Sequence, residues 1–148
     1  MRRIRRDEAH EELVKELTTG DLPLFKDLWR ILLFAAMLGF KQNSRMPLGS
    51  YDSGKAMPDS YFANSPSWPG VLYLLGLVET KKTTVMGSKP EEQDELISIF
   101  EEYATGGLVY LRNRLDGGGD RLKTLVDIIQ EVSKSSSSGE PDLNFDPL

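Results

Sequence analysis

Eight consecutive apolar residues, Ile31–Leu38, sit inside a longer stretch whose apolar positions recur at helical spacing: Phe25, Leu28, Trp29, Leu32, Leu33 and Ala36. Pro23 suits the first turn of a helix because it has no N–H to leave unpaired, so the spacing predicts a helix over 23–39. A helix that is apolar all round has no side to offer water and belongs at the buried centre of a domain. The run is far short of the roughly 20 residues that cross a membrane, as is the second one, Val71–Val78. The rest of the chain is expected to cover this segment.

The pattern elsewhere is also helical. Asp7 can cap a helix over 7–18, with Glu8, Glu11 and Glu12 at its positive end, an apolar face of Leu13, Val14 and Leu17, and Gly20 as its stop. Further helices are expected over 69–79, from Pro90 to Gly106-Gly107, over 108–115, and over 120–132 with Asp120 as cap. Between them, 41–67 carries Pro47, Pro58, Pro66 and many Ser, Asp and Asn, a long loop for a compact domain and of the kind that is functional or mobile. From Ser133 onward the composition turns to Ser, then to acidic residues and Pro, which reads as a disordered tail. The fold class is therefore mainly α: one domain over 1–132, a compact bundle of about six helices with a short basic strand or arm, followed by the tail 133–148. The length of 148 residues suits a single domain.

Charge is strongly polarised. Arg2, Arg3, Arg5 and Arg6 open the chain; removing these four from 18 cations leaves 14 against 23 acidic residues, while the whole chain carries −5. A uniformly basic nucleic-acid coat is excluded, a local patch is not. The absence of Cys removes disulfides, thiolate metal sites and Cys nucleophiles, and agrees with a reducing cytoplasm. No apolar segment of a secretory signal follows the arginines. His10 is the one histidine, on a highly charged segment, and reads as a solvated surface side chain rather than a proton shuttle.

Several constellations bear on chemistry. Glu91, Glu92, Asp94, Glu95, Glu101 and Glu102 could ligate a hard metal, but acidic residues early in a helix also complement its dipole, so a solvated face is expected. Gly117-Gly118-Gly119 precedes a helix without the Gly-Lys-Ser/Thr that a phosphate loop needs, and Asp116 and Asp120 would repel phosphate; a turn is the better reading. Asp59 with Glu79 and Lys81 matches the text of a PD-(D/E)xK metal-dependent nuclease, a pattern that requires a strand before Glu79, whereas Val71–Val78 after Ser-Trp-Pro looks like a helix. Arg2, Arg3, Arg5 and Arg6, extended by Lys41 and Arg45, form the candidate phosphate-binding patch; the other reading has the arm pair with the chain's own acidic helices. A short basic strand before two helices also has the outline of a ribbon-helix-helix protein, at the level of fold analogy only. Tyr51, Tyr61, Phe62 and Trp68 beside the long loop are the candidate protein interface, or else fold back into the core.

The run Phe25-Lys26-Asp27-Leu28 with Leu33–Phe40 and Arg45-Met46-Pro47-Leu48, and the later run Leu96–Leu108 containing Glu101-Glu102-Tyr103-Ala104, resemble the dnd system-associated protein 4 family, also called DNA phosphorothioation-associated protein 4. The resemblance covers about 2–132. It implies a partner of defence systems that replace a non-bridging phosphate oxygen of DNA with sulfur and restrict unmodified invading DNA. It carries no catalytic residues over and implies no cofactor. The expectation is a non-enzymatic accessory protein that contacts DNA, other proteins of the system, or both, with self-association open and no membrane contact. The alternatives are a metal-dependent nuclease through Asp59, Glu79 and Lys81, and a scaffold without DNA contact.

Overall fold

In the computed structural model, which describes residues 1–20 and 23–134, the apolar run forms the middle of helix α2, Leu28–Lys41. It packs along the longest helix, α4, Pro90–Leu115, in the most extensive helix–helix contact of the molecule. The remaining helices are α1 (Glu11–Thr19), α3 (Trp68–Thr80) and α5 (Arg121–Lys134). Short 3-10 turns at Glu8–His10, Ser53–Lys55, Asp59–Asn64 and Thr83–Met86 join them. The mainly helical reading holds. The expected tail lies outside the described residues apart from Ser133 and Lys134, which close α5.

Three local expectations are corrected. Gly106-Gly107 does not end a helix: α4 runs straight through it. The reason is packing. A Cβ at Gly107 would overlap the Ala35 carbonyl, one at Gly39 the Tyr103 carbonyl, and one at Gly106 the Ser44 carbonyl. Missing side chains at these positions let two helix backbones and the start of the loop come together. The loss of helix propensity, about 1 kcal/mol per Gly, is offset by that contact. Second, α2 begins at Leu28 rather than Pro23, because the Leu24 and Phe25 N–H groups both donate to the Leu17 carbonyl at the end of α1. Third, His10 is buried, not solvated. It closes the 3-10 turn that Asp7 caps through the Ala9 N–H at 2.9 Å.

The apolar run is also covered less completely than its composition suggests. Ile31, Leu32, Ala35, Ala36 and Leu38 are buried, but Met37 remains 40% exposed and Leu33 and Phe34 are half-covered. Helix α5, which Asp120 caps by accepting from the Leu122 N–H at 2.9 Å, buries Leu125 and Ile128. It leaves Leu122, Val126 and Ile129, along the edge of the same apolar stripe, exposed.

The long connection after α2 is tied down. Ser44 N–H donates to the Gly39 carbonyl at 2.8 Å, and Met46 N–H to the Glu102 carbonyl at 3.0 Å. Its turn at Asp59–Asn64 drives Phe62 into the core, stacked on Trp68 with ring centres 4.5 Å apart and edge-on to Phe100. The N-terminal arm is extended, and Ile4 makes an isolated antiparallel bridge to Met57 with N–H···O distances of 2.7 and 2.8 Å. No ribbon beyond that bridge occurs among the described residues, so the ribbon-helix-helix outline is not continued.

The close approach of α2 and α4 generates a paired expectation. Gly107→Ala pushes a methyl group against backbone that cannot rotate away and should cost about 2 kcal/mol or more, beyond the propensity it gains. Gly70→Ala in α3, where a Cβ meets nothing within 4 Å, should instead be neutral or stabilising by up to about 1 kcal/mol. Urea denaturation of the two variants measures both; equal effects would refute the packing role.

Candidate functional site

The arginine arm lies across α4, and a single carboxylate organises it. Glu101 projects from the helix with its side chain only 1% exposed. Arg2 grips it with both guanidinium nitrogens, at 2.8 and 2.9 Å. Arg5 adds its backbone N–H at 2.6 Å, its Nε at 3.3 Å and a second guanidinium nitrogen at 3.1 Å. Arg2 also donates to the Ser98 hydroxyl at 2.9 Å. The hydrogen bond to Glu101 holds the Arg5 guanidinium still more firmly in its charged form, and its cation lies 4.4 Å over the Tyr51 ring. A buried ionised carboxylate is tolerated only when its charge and lone pairs are answered, and here five donor contacts do so. The solvated face expected for the acidic helix is therefore wrong at Glu101.

The other two arm arginines are placed differently. Arg6 pairs with Glu11 at 2.8 and 2.9 Å and donates to the Lys55 carbonyl at 2.7 Å. Arg3 is exposed, and its guanidinium donates to the Ala56 carbonyl at 3.2 Å. The bridge at Ile4, 1% exposed, sets this alternation: Ile4 points inward while its neighbours turn toward the helix or the solvent.

Arg45 and Lys41 do not join the arm. Arg45 donates to Glu102 at 2.6 Å and to Glu79, whose other oxygen accepts from the Tyr103 hydroxyl at 2.6 Å. Burial pushes the Glu79 carboxyl up, but the Tyr103 hydroxyl and the Arg45 guanidinium outweigh it and hold it below the usual range. Burial and the neighbouring carboxylate push the Tyr103 phenol well up. Lys41 ends α2 beside the apolar groove with α5. Of the aromatic candidates, Tyr51 and Tyr61 are exposed, whereas Phe62 and Trp68 are interior and present no surface to a partner.

The PD-(D/E)xK text does not meet its structural requirement. Val71–Val78 lies within helix α3, Glu79 is engaged by Tyr103 and Arg45, and Lys81 follows in the left-handed conformation at φ 60°. Asp59 opens the separate 3-10 turn at Asp59–Asn64. Among the described residues no group of three His, Cys, Asp or Glu is arranged to hold a metal ion, and no helix is long and apolar enough to cross a membrane.

Arg2, Arg5 and Arg45 all reach the segment Ser98–Tyr103 of α4: Arg2 at Ser98 and Glu101, Arg5 at Glu101 and Arg45 at Glu102. That segment lies within the second of the two blocks that resembled a known family, and a family model now spans residues 3–146. The chain belongs to the DNA sulphur modification system-associated protein 4 family. Its place is thus with a DNA sulphur modification (dnd) system, as an associated protein. No curated protein and no solved structure matches the chain. The family's second block therefore has a structural explanation in this member: Ser98 and Glu101 hold the arm, Glu102 and Tyr103 hold the Arg45–Glu79 pair, and Gly106-Gly107 admits α2.

What sequence reasoning missed was Glu101 itself. The one available signal was its position: an acidic residue in the interior of an apolar helical stripe, flanked by Ile97, Phe100 and Ala104.

Two expectations follow. Replacing both Arg2 and Arg5 by Ala leaves the Glu101 carboxylate buried without its cations and should cost about 3–5 kcal/mol. Glu101→Gln should cost less, about 1–3 kcal/mol, because the arginine side chains, 25% and 29% exposed, can take up water. Adding Glu101→Leu to the double Arg variant should restore much of the loss; urea midpoints rank the three, and an Arg pair that can be removed freely would sink the anchor.

The second concerns acid. The Arg6 guanidinium beside Glu11 holds that carboxyl down; at Asp7, burial pushes up but the Gly49 and Ala9 N–H groups prevail. Each depressed carboxyl stabilises the fold fully above its ordinary value, 3.8 for Asp7 and 4.5 for Glu11 and Glu79, and the contribution is lost as pH falls through the folded value. Burial, with Arg112 adding to it, also lowers the His10 value from 6.5, so protons favour the unfolded chain below that pH. Stability should therefore fall gently from about pH 6.5 and steeply below about 4.5. His10→Leu should flatten the first phase, and Tyr103→Phe should raise the Glu79 titration seen by NMR.

Proposed function

We propose that this chain is a non-enzymatic accessory protein of a bacterial, DNA phosphorothioation-linked and restriction-modification-like anti-phage defence system, and that it works by binding other proteins of that system. The observation that carries the reading is the distribution of its surface. Three of the four arm arginines are spent on carboxylates of the same chain, which leaves little free cationic charge there for phosphate. At the same time Leu122, Val126 and Ile129 of α5 and Met37 of α2 are exposed apolar side chains on neighbouring elements, the kind of surface that marks a protein interface.

DNA contact is the second reading, and one observation favours it: Arg3 is exposed and pairs with no carboxylate among the described residues. Lys41 and Arg45 would lie outside such a contact in this reading, since Arg45 is held by Glu79 and Glu102.

A salt titration separates the readings. Each phosphate neutralised contributes a slope of roughly −0.9 to log K against log salt. With one free arm arginine, binding to duplex DNA should be weak and its slope shallow, alike on matched duplexes with and without phosphorothioate. Arg3→Ala should abolish what there is without loss of stability. Co-expressed proteins of the same system should co-elute with the wild-type chain on size exclusion and not with Val126→Asp. Steep salt dependence, or retention of Val126→Asp, would overturn the protein-first reading.

A further inference from the structure

We infer that α5 is the meeting face of two copies of this chain, laid antiparallel so that Val126 of one copy sits against Val126 of the other. The inference rests on the reading of this face as a protein interface and names its occupant: other proteins of the system then meet a dimer.

Helix α5, Arg121–Lys134, leaves part of its apolar stripe in solvent. Leu122 is 57% exposed, Val126 42% and Ile129 45%, and Leu122 is the most exposed large apolar side chain among the described residues. A helix advances about 100° per residue, so the three fall within about 60° of one another, in one row along the axis. Spacings of four and three are those of a seam along which two helices interlock. Beside the row, between α2 and α5, lies a groove of about 210 Å³ lined by Phe34, Met37, Ile129 and Val132 among others. One edge of α5 thus carries projecting side chains with a hollow next to them.

The pattern is its own complement, which is what identifies the occupant. In an antiparallel pair centred beside Val126, Leu122 of each copy lies opposite Ile129 of the other and is delivered to the groove that Ile129 borders. The exchange occurs twice about a two-fold axis, as an isologous contact requires. A helix from a different protein has no need of residues that match across one centre.

Charge obeys the same centre. Lys123 and Asp127, 3.1 Å apart on one helix, flank the row with side chains 74% and 41% exposed. In an antiparallel pair like flanks meet, so Lys123 of each copy comes opposite Asp127 of the other to within one residue of the register set by Leu122 and Ile129. A parallel pair would instead press this charged flank against the apolar groove and strand both charges. Arg121 and Glu131 do not oppose the contact, since Glu16 and Arg114 of the same chain take them up.

The chain has no Cys, so a single introduced thiol reports on the two-fold centre. Sedimentation of the wild-type full chain at micromolar concentration should give twice the mass of one chain. Under mild oxidation Val126→Cys should form covalent dimers at least about tenfold faster than Leu74→Cys, which is comparably exposed but lies on α3. Leu122→Cys and Ile129→Cys should crosslink slowly alone and rapidly when mixed. Lys123→Asp and Asp127→Lys should each weaken the dimer roughly three- to tenfold, and mixing the two variants should restore it, because each then faces opposite charge. A monomeric wild-type chain overturns the inference, as do equal rates at 126 and 74, or Ile129→Cys crosslinking to itself faster than Val126→Cys. None of these readouts uses another protein. A monomer whose co-elution with the system still depends on Val126 therefore sinks the dimer and leaves the protein-binding reading standing.

Discussion

Two helix backbones lie against each other at the centre of this protein, and the rest of the structure depends on that contact. At Gly39, Gly106 and Gly107 a side chain of any size would overlap a carbonyl of the facing element. Protein interiors are packed too densely to absorb such an overlap by small shifts. The approach therefore sets the position of α2 relative to α4, and through it the burial of Ile31, Leu32, Ala35 and Ala36. It also sets where the connection after α2 begins, since Ser44 sits over Gly106.

Around that core, the irregular segments hang on the polar groups of one turn of α4. Glu101 takes the N-terminal arm, and the Glu102 carbonyl takes Met46. The Glu102 carboxylate and the Tyr103 hydroxyl take Arg45 and Glu79. Asp7 bonds Gly49, and Ile4 bonds Met57, so arm and connection are also fastened to each other. A chain with a long Ser- and Pro-rich connection loses much conformational entropy on ordering it, and these charge-assisted bonds are what offset that loss. The same arrangement recasts the basic N-terminus. Its charge compensates a buried carboxylate first, and only Arg3 remains without such a commitment among the described residues.

Much of the helical framework was legible in the sequence. The apolar periodicity of α1, α3 and α5, the Asp120 cap and the Pro-led starts of α3 and α4 are local signals with local causes. The errors share one cause too. Gly106-Gly107 resembles a stop because Gly weakens an isolated helix, and His10 resembles a surface residue because its sequence neighbours are charged. Each judgement was local, and a partner element distant in sequence reversed it. Phe62 and Trp68 show the same thing from the other side: nothing near them in sequence says that Phe100 waits to receive both rings. Family membership was legible as well, because the two blocks that carried the resemblance hold the residues of the helix crossing and its anchors.

By itself the sequence determined that the chain is helical, that α2 is its centre, and that its charge is segregated, because propensity, periodicity and charge count are properties of neighbouring residues. Only the tertiary structure decided what those charges do. A guanidinium can meet a phosphate or a carboxylate with the same geometry, and the choice falls to whichever acceptor the fold brings within reach. Here α4 brings Glu101 to Arg2 and Arg5 across 96 or more residues of chain. The tertiary structure decided equally which apolar residues stay outside. The same arrangement that covers Leu125 and Ile128 leaves Leu122, Val126 and Ile129 uncovered, because the apolar stripe of α5 is wider than the part of it that the bundle covers.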